Sequence, residues 1–167
     1  PMLLLGLTTT LKLGLVSIVL GLIFGLLLAM TRLYAHTIAR VISKVYINVF
    51  RSIPLLVLLI VIFYALPFVG ISLSPFTAAA TALIIVSSAY TAEIFRSGIE
   101  AIPKGQFEAS QALGLSFVQM MKDVILPQAT RIVIPSLTNN SINVIKDTAL
   151  ASVVAMPDLL KQATQAQ

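Results

Sequence analysis

The sequence predicts an all-α membrane protein with four spanning helices and a polar helical segment between the third and the fourth. Three observations carry that prediction. The 167 residues are 58% hydrophobic and only 10% charged, with a mean hydropathy of +1.01. A soluble domain usually carries about a quarter charged residues, so too little polar surface is present here to cover a water-facing globule. The charges are also grouped, so that long uncharged runs alternate with short basic stretches. Finally, one polar stretch, EASQALGLSFVQMMKDVILP (residues 108–127), stands in the middle of this apolar chain.

The first span, about residues 11–33, rests on the 19 uncharged residues between Lys12 and Arg32. As a helix they measure about 28 Å, one bilayer crossing. Gly21 and Gly25 form a GxxxG pair within it, which predicts close packing against another helix. No charge occurs from Ser52 to Ala92. That run is roughly 60 Å as one helix, too long for a single crossing, and LPFVGISLSPF (66–76) supplies the turn. Two spans follow, at about 53–68 and about 76–95. The segment 100–124 is polar. A fourth span, about 125–145, is weaker because Arg131 and Lys146 bracket it closely, and a short helix with a tail is expected over 148–167. All of this fits one domain, 1–167.

Arg32, Arg40, Lys44 and Arg51 occur in residues 32–51 without an acidic residue, so this loop is expected in the cytoplasm. The N-terminus is then extracytoplasmic and residues 96–130 are cytoplasmic. The net charge of +5 is read the same way, and no basic stripe with interleaved aromatics suggests nucleic acid. With no cysteine and with His36 as the sole histidine, no metal site, disulfide or cofactor is expected. The same shortage argues against an intramembrane enzyme. Nothing before the first span reads as a signal peptide. Pro1 in the first position and the ending KQATQAQ are expected of a piece of a longer chain.

Within the polar segment, residues 106–113 read as a short helix with Phe107, Ala109, Ala112 and Leu113 as a mild apolar face. Gly114 ends it, and Ser116 caps a second helix bearing Phe117, Met120, Met121 and Val124 in a stripe. Such a knuckle suits a groove on a partner protein, and equally an amphipathic elbow on the headgroups.

Glu108-Ala109-Ser110, three residues, Gly114, nine residues and Val124-Ile125-Leu126-Pro127 together resemble the EAA loop of ABC importer permeases. Ser110 replaces a usual alanine and Val124 a usual isoleucine. FRSIPLLVLLIVIFYALP (50–67), SAYTAEIFRSGIEAIPKGQFEASQALGLS (88–116) and LPQATRIVIPSLTNNSINVIKDTALASVV (126–154) are similar to the polar amino acid uptake branch. Leu58 departs from that pattern, which often has glutamine there. The resemblance implies a type I ABC importer transmembrane domain in a prokaryotic inner membrane, with a fifth helix in the family pattern that this sequence lacks. It implies a coupling helix in which Glu108, Ala109, Ser110, Leu113, Gly114 and Leu115 meet an ATP-hydrolysing subunit dimer. It also implies a second permease subunit, an extracytoplasmic solute-binding protein and an amino acid substrate. ATP hydrolysis would reside in the separate subunit, consistent with the lack of a GxxxxGK phosphate loop here.

Asn140, Asn143 and Asp147 fall at i, i+3 and i+7 on one helical face, and Asn139, Asn143 and Lys146 on an overlapping one. Polar groups at membrane depth face cavities or other helices. Asp147 is expected either to accept a substrate ammonium or only to cap a short helix beginning at Thr148, whose free N–H groups would take a carboxylate. Glu93 is a second candidate for the pathway, or else part of a ladder with Arg96, Glu100 and Lys104. Arg51 reads as an interfacial anchor. The alternatives to amino acid transport are a permease for an opine or dipeptide, and a structural membrane scaffold.

Overall fold

The computed structural model describes the backbone of residues 2–165 and the side chains of residues 8–151. Helix α1 (Met2–Tyr34) is followed by α2 (Thr37–Ser52) and α3 (Leu55–Ile60), which continues as a π-helical turn (Val61–Ala65) and a 3-10 turn (Leu66–Val69). Next come α4 (Pro75–Glu100), α5 (Lys104–Ala112) and α6 (Phe117–Gln119). A second π-helical turn (Met120–Ile125) then leads into α7 (Leu126–Gln165).

The core is a seam between α1 and α4, which pack along most of their length. Gly21 lies opposite Ser87 and Gly25 opposite Thr91, so the two helices run parallel. At Gly25 a Cβ would stand 2.5 Å from Thr91 Cβ and 3.0 Å from the Ser88 carbonyl oxygen, so only glycine permits this approach. Helix α7 packs antiparallel to α4, with Val133 filling the space above Gly98. At one end Leu58, Leu59 and Ile62 bury against Ala78–Leu83, and at the other Ile99 and Ile102 bury against Met120, Met121 and Ile125. Leu58, the departure from the family pattern, is thus a core side chain.

Among the described residues, two helices are long and apolar enough to cross a bilayer: Thr8–Tyr34 and Pro75–Glu100. A third arises if α2 and α3 count as one span, bent by 102°. Helix α7 has the length, but Arg131, three asparagines, Lys146 and Asp147 dilute its apolar character.

Three expectations need correction. Residues 37–52 are a helix, not a loop: no proline or glycine interrupts them, and Ser43, Ile47 and Tyr46 recur on one buried side. This helix stops at Ile53, which Pro54 forces into an extended conformation. Second, no helix boundary occurs at Asp147 and Thr148, because α7 runs through them and the Thr148 hydroxyl donates back to the Ile145 carbonyl (2.6 Å). Third, Phe107 belongs to the buried side of α5, packed on the Met120–Met121 cluster, not to an offered face.

Both π-helical turns sit immediately before a Leu-Pro pair. Leu66 N–H donates to Val61 O and Leu126 N–H to Met121 O, five residues back, ahead of Pro67 and Pro127. A proline ring collides with the carbonyl four residues earlier in a regular helix, and the wider turn relieves that collision. Pro127 therefore marks the entry to α7 without breaking the rod.

Candidate functional site

A cavity of about 590 Å³ opens where the α2–α3 corner meets α4 and α7. The corner contributes Arg51, Ser52 and the Ile53-Pro54-Leu55 backbone turn, so the proline that ends α2 also forms a wall. Helix α4 contributes Ser87 and Tyr90, and α7 contributes Asn140, Asn143, Lys146 and Asp147. The volume lies within the roughly 300–1,000 Å³ typical of small-molecule sites. Three helices thus gather two cations, one carboxylate, two amides and several hydroxyls around one space.

Beside it lies an ion cluster centred on Glu93. One oxygen, Oε2, accepts from Arg32 Nη1 of α1 at 2.7 Å and from Arg96 Nε at 3.1 Å, while Oε1 accepts from Arg96 Nη2 at 2.6 Å. Arg96 also pairs with Glu100. The third arginine, Arg51, stands farther off, 3.9 Å from Glu93, with its guanidinium 5.4 Å from the Tyr90 ring centre. Short, forked pairing of Arg96 is the stronger arrangement, so Arg32 and Arg96 absorb most of the Glu93 charge. Arg51 is the member with charge to spare, and it is the one that reaches the cavity.

The sequence-derived candidates divide accordingly. Asn140, Asn143 and Asp147 share the cavity wall, and Asn140 also donates to Thr91 Oγ1 at 3.2 Å, tying the wall to the α1–α4 seam. Asn139 does not line it. Thr148 is buried against Gly14 of α1 and lies outside the lining. Glu93 is likewise outside it, one turn below Tyr90, and its ladder ends at Glu100 because Lys104 opens a separate helix. Arg51, Ser52 and Tyr90 were not legible as site residues. The signal for Arg51 was its place two residues before Ile53-Pro54, a forced corner.

The candidates among residues 108–115 form a second surface. Gly114 has φ +74, Leu115 N–H donates to Ser110 O (3.1 Å) and Gly114 N–H to Gln111 O (2.9 Å), a Schellman ending of α5. Ser116 then caps α6 in a reciprocal box with Gln119, at 3.3 and 2.9 Å. Ser110 is buried and its hydroxyl donates to Gln106 O, and Leu115 is half-buried against the Met120–Met121 cluster. Glu108, Ala109 and Gly114 are exposed, and so are Leu113 (79%) and Val118 (70%).

Known proteins resemble this chain in sequence and in fold. The profile of the family described as "Binding-protein-dependent transport system inner membrane component" matches residues 1–167. The arginine transport system permease protein ArtQ of Bacillus subtilis is 40% identical over 99% of this chain and 76% of its own length. A Rickettsia bellii protein named as a glutamine transport system permease, GlnP, is 41% identical over 95% of this chain and 73% of its own length. A crystal structure described as an amino acid ABC transporter with histidines superposes with a TM-score of 0.81 at 39% identity, covering 95% of this chain and 74% of that one. The chain belongs to the family of binding-protein-dependent transport system inner membrane components.

Proposed function

We propose that this membrane protein is the permease subunit of an ATP-driven importer for a polar or charged amino acid, and that its cavity holds the substrate as a zwitterion. The observation that carries the reading is the pairing of Arg51 and Asp147 on different walls of one cavity. A free amino acid presents a carboxylate and an ammonium on neighbouring atoms. Arg51, only loosely engaged by Glu93, suits the carboxylate, and Asp147 suits the ammonium, while Asn140, Asn143 and Tyr90 remain for the side chain. Names of relatives that refer to arginine or glutamine agree with a polar substrate. Because α7 has no helix start at Asp147, the backbone N–H groups expected there to bind the carboxylate are engaged within the helix, and Arg51 takes over that task.

In this reading α1, α3 together with the two turns that extend it to Val69, α4 and α7 are the four spans of a multi-pass inner membrane protein, with a fifth in the family pattern. The N-terminus is extracytoplasmic and residues 96–130 cytoplasmic. A solute-binding protein delivers the amino acid from outside to this subunit and a second permease subunit. An ATPase dimer, which alone hydrolyses ATP, grips the knuckle through Glu108, Ala109, Leu113 and Gly114. Its closure moves the two permeases between outward and inward openings.

The test uses the complete complex in proteoliposomes. Arg51→Gln and Asp147→Asn should each lower apparent substrate affinity about 10- to 100-fold, the range for a charged hydrogen bond. More tellingly, Arg51→Gln should cease to discriminate against the amine lacking the carboxylate, and Asp147→Asn against the acid lacking the ammonium. Unchanged discrimination in both variants would sink the zwitterion reading.

A further inference from the structure

Helix α2 has three sectors. Ser43, Tyr46, Ile47 and Phe50 face the protein, with the Tyr46 hydroxyl 2.9 Å from Ser88 Oγ. Ile38 (69% exposed), Ile42 (63%), Val45 and Val49 form an apolar stripe that no other described residue covers. Arg40 and Lys44, four residues apart, occupy the remaining side, and the helix contains no acidic residue at all. An exposed apolar stripe beside a basic one, on a helix turned 102° from the apolar α3, is the geometry of a helix lying in the plane of a membrane surface.

The two basic residues differ from the other cations near them. Arg32, Arg51 and Arg96 are all drawn to Glu93, whereas neither Arg40 nor Lys44 pairs with a carboxylate among the described residues. Arg40 gives one donor to the Ala35 carbonyl and keeps the rest. Residues four apart on a helix are neighbours, close enough to share one phosphate.

We propose that Arg40 and Lys44 hold the headgroup of an anionic phospholipid, whose acyl chains lie along Ile38, Ile42, Val45 and Val49. The apolar stripe selects a lipid over a soluble anion, and the uncompensated charge selects an anionic lipid over a zwitterionic one. The site rests on the reading of the chain as a membrane protein but not on its substrate. Through the α2–α3 corner such a lipid steadies the helix that carries Arg51 into the cavity.

Native mass spectrometry of the full chain, purified in neutral detergent with equal phosphatidylglycerol and phosphatidylcholine, tests this. The native protein should retain phosphatidylglycerol preferentially, and added salt should erode the preference. Each basic residue at an anionic surface is worth about fivefold, so Arg40→Gln with Lys44→Gln should lower the preference by about thirtyfold. Lys122→Gln, an exposed cation elsewhere, should leave it unchanged. Equal retention of both lipids by the native protein would overturn the proposal and leave the α2 surface to an acidic protein or a second permease. A salt-independent preference would overturn it too, as would an equal loss in Lys122→Gln, and the native salt series decides even if the double variant does not fold. Because headgroup retention is read without transport, its failure leaves the importer reading standing, and failed amino acid uptake leaves this one standing.

Discussion

Two regions of the molecule use glycine for opposite reasons. In the α1–α4 seam, Gly25 has an ordinary helical backbone and no room: Thr91 and Ser88 occupy the place of a side chain. At the knuckle, Gly114 has open space around it and an unusual backbone, φ +74 with no atom within 4 Å of a Cβ. The α4 side of the seam is tied to the neighbouring helices, Ser88 to Tyr46 of α2 and Thr91 to Asn140 of α7, while the buried Ser17 hydroxyl of α1 has no hydrogen-bond partner among the described residues. The knuckle is shaped with equal care by a Schellman ending and a capping box, yet Leu113 and Val118 stay exposed among the described residues. A conformation fixed by several hydrogen bonds while its apolar side chains stay exposed suits a surface made for a partner.

The comparison breaks most visibly at the seam. Gly25→Ala should gain about 1 kcal/mol from helix propensity if space were free. With Thr91 Cβ at 2.5 Å the helices must separate instead, and overpacking of a tight core costs about 1–3 kcal/mol, more for larger side chains. Gly25→Leu should therefore abolish a monodisperse, folded product in detergent, and Gly25→Ala should lower its melting temperature by several degrees. A neutral or stabilised Gly25→Ala protein would mean that α1 and α4 are not held at this distance. Thr91 also accepts from Asn140, so the surviving alanine variant should show weakened substrate affinity as well.

These regions were not equally legible in the sequence. The seam followed from the Gly21–Gly25 spacing, and the knuckle from Gly114 and Ser116, because both depend on local backbone rules. Gly98, against which Val133 packs at a hypothetical Cβ distance of 2.1 Å, has no small-residue partner four positions away and gave no such signal. Helix α2 was less legible, because Arg40, Lys44 and Arg51 without an acidic residue are the pattern of a basic loop between spans, and they interrupt the period of Ser43, Tyr46, Ile47 and Phe50. The cavity was half legible. Asn140, Asn143 and Asp147 share a face of one helix, and periodicity finds such sets. Arg51 and Tyr90 join them only through tertiary packing of α2 and α4, which no local pattern encodes. The continuous α7 was missed because Asp147-Thr148 is a good cap sequence; in the folded chain Thr148 instead turns its hydroxyl back to Ile145.

At the knuckle the expected effects are smaller and of another kind. Gly114→Ala meets no neighbour, so its cost is the left-handed backbone alone, about 1–2 kcal/mol. Gly114→Asn should recover part of that, since asparagine tolerates this conformation best among the other residues. If Gly114→Ala and Gly114→Asn melt alike, backbone conformation is not what glycine supplies there. Under the proposed coupling role, retention of the ATPase in co-purification should follow the same order: native, asparagine, alanine, with Gly114→Trp weakest because its ring would stand on the proposed docking surface.

The mildest test concerns the capping box. Ser116→Ala removes the acceptor for the Gln119 N–H, a bond of 3.3 Å on an exposed turn, and caps are worth about 1 kcal/mol on average. Here water can replace the hydroxyl, so the melting temperature should hardly move. The direction of the chain out of Gly114 is another matter, because the reciprocal bond from Ser116 N–H to the Gln119 side chain survives the substitution. Gln119→Ala removes that second bond, and the double variant removes both. If the pair of bonds aims α6, either single variant should keep the ATPase and only the double variant should release it. Release by Ser116→Ala alone would mean that the hydroxyl itself meets the partner, and the knuckle would then be recognised by a polar contact as well as by its shape.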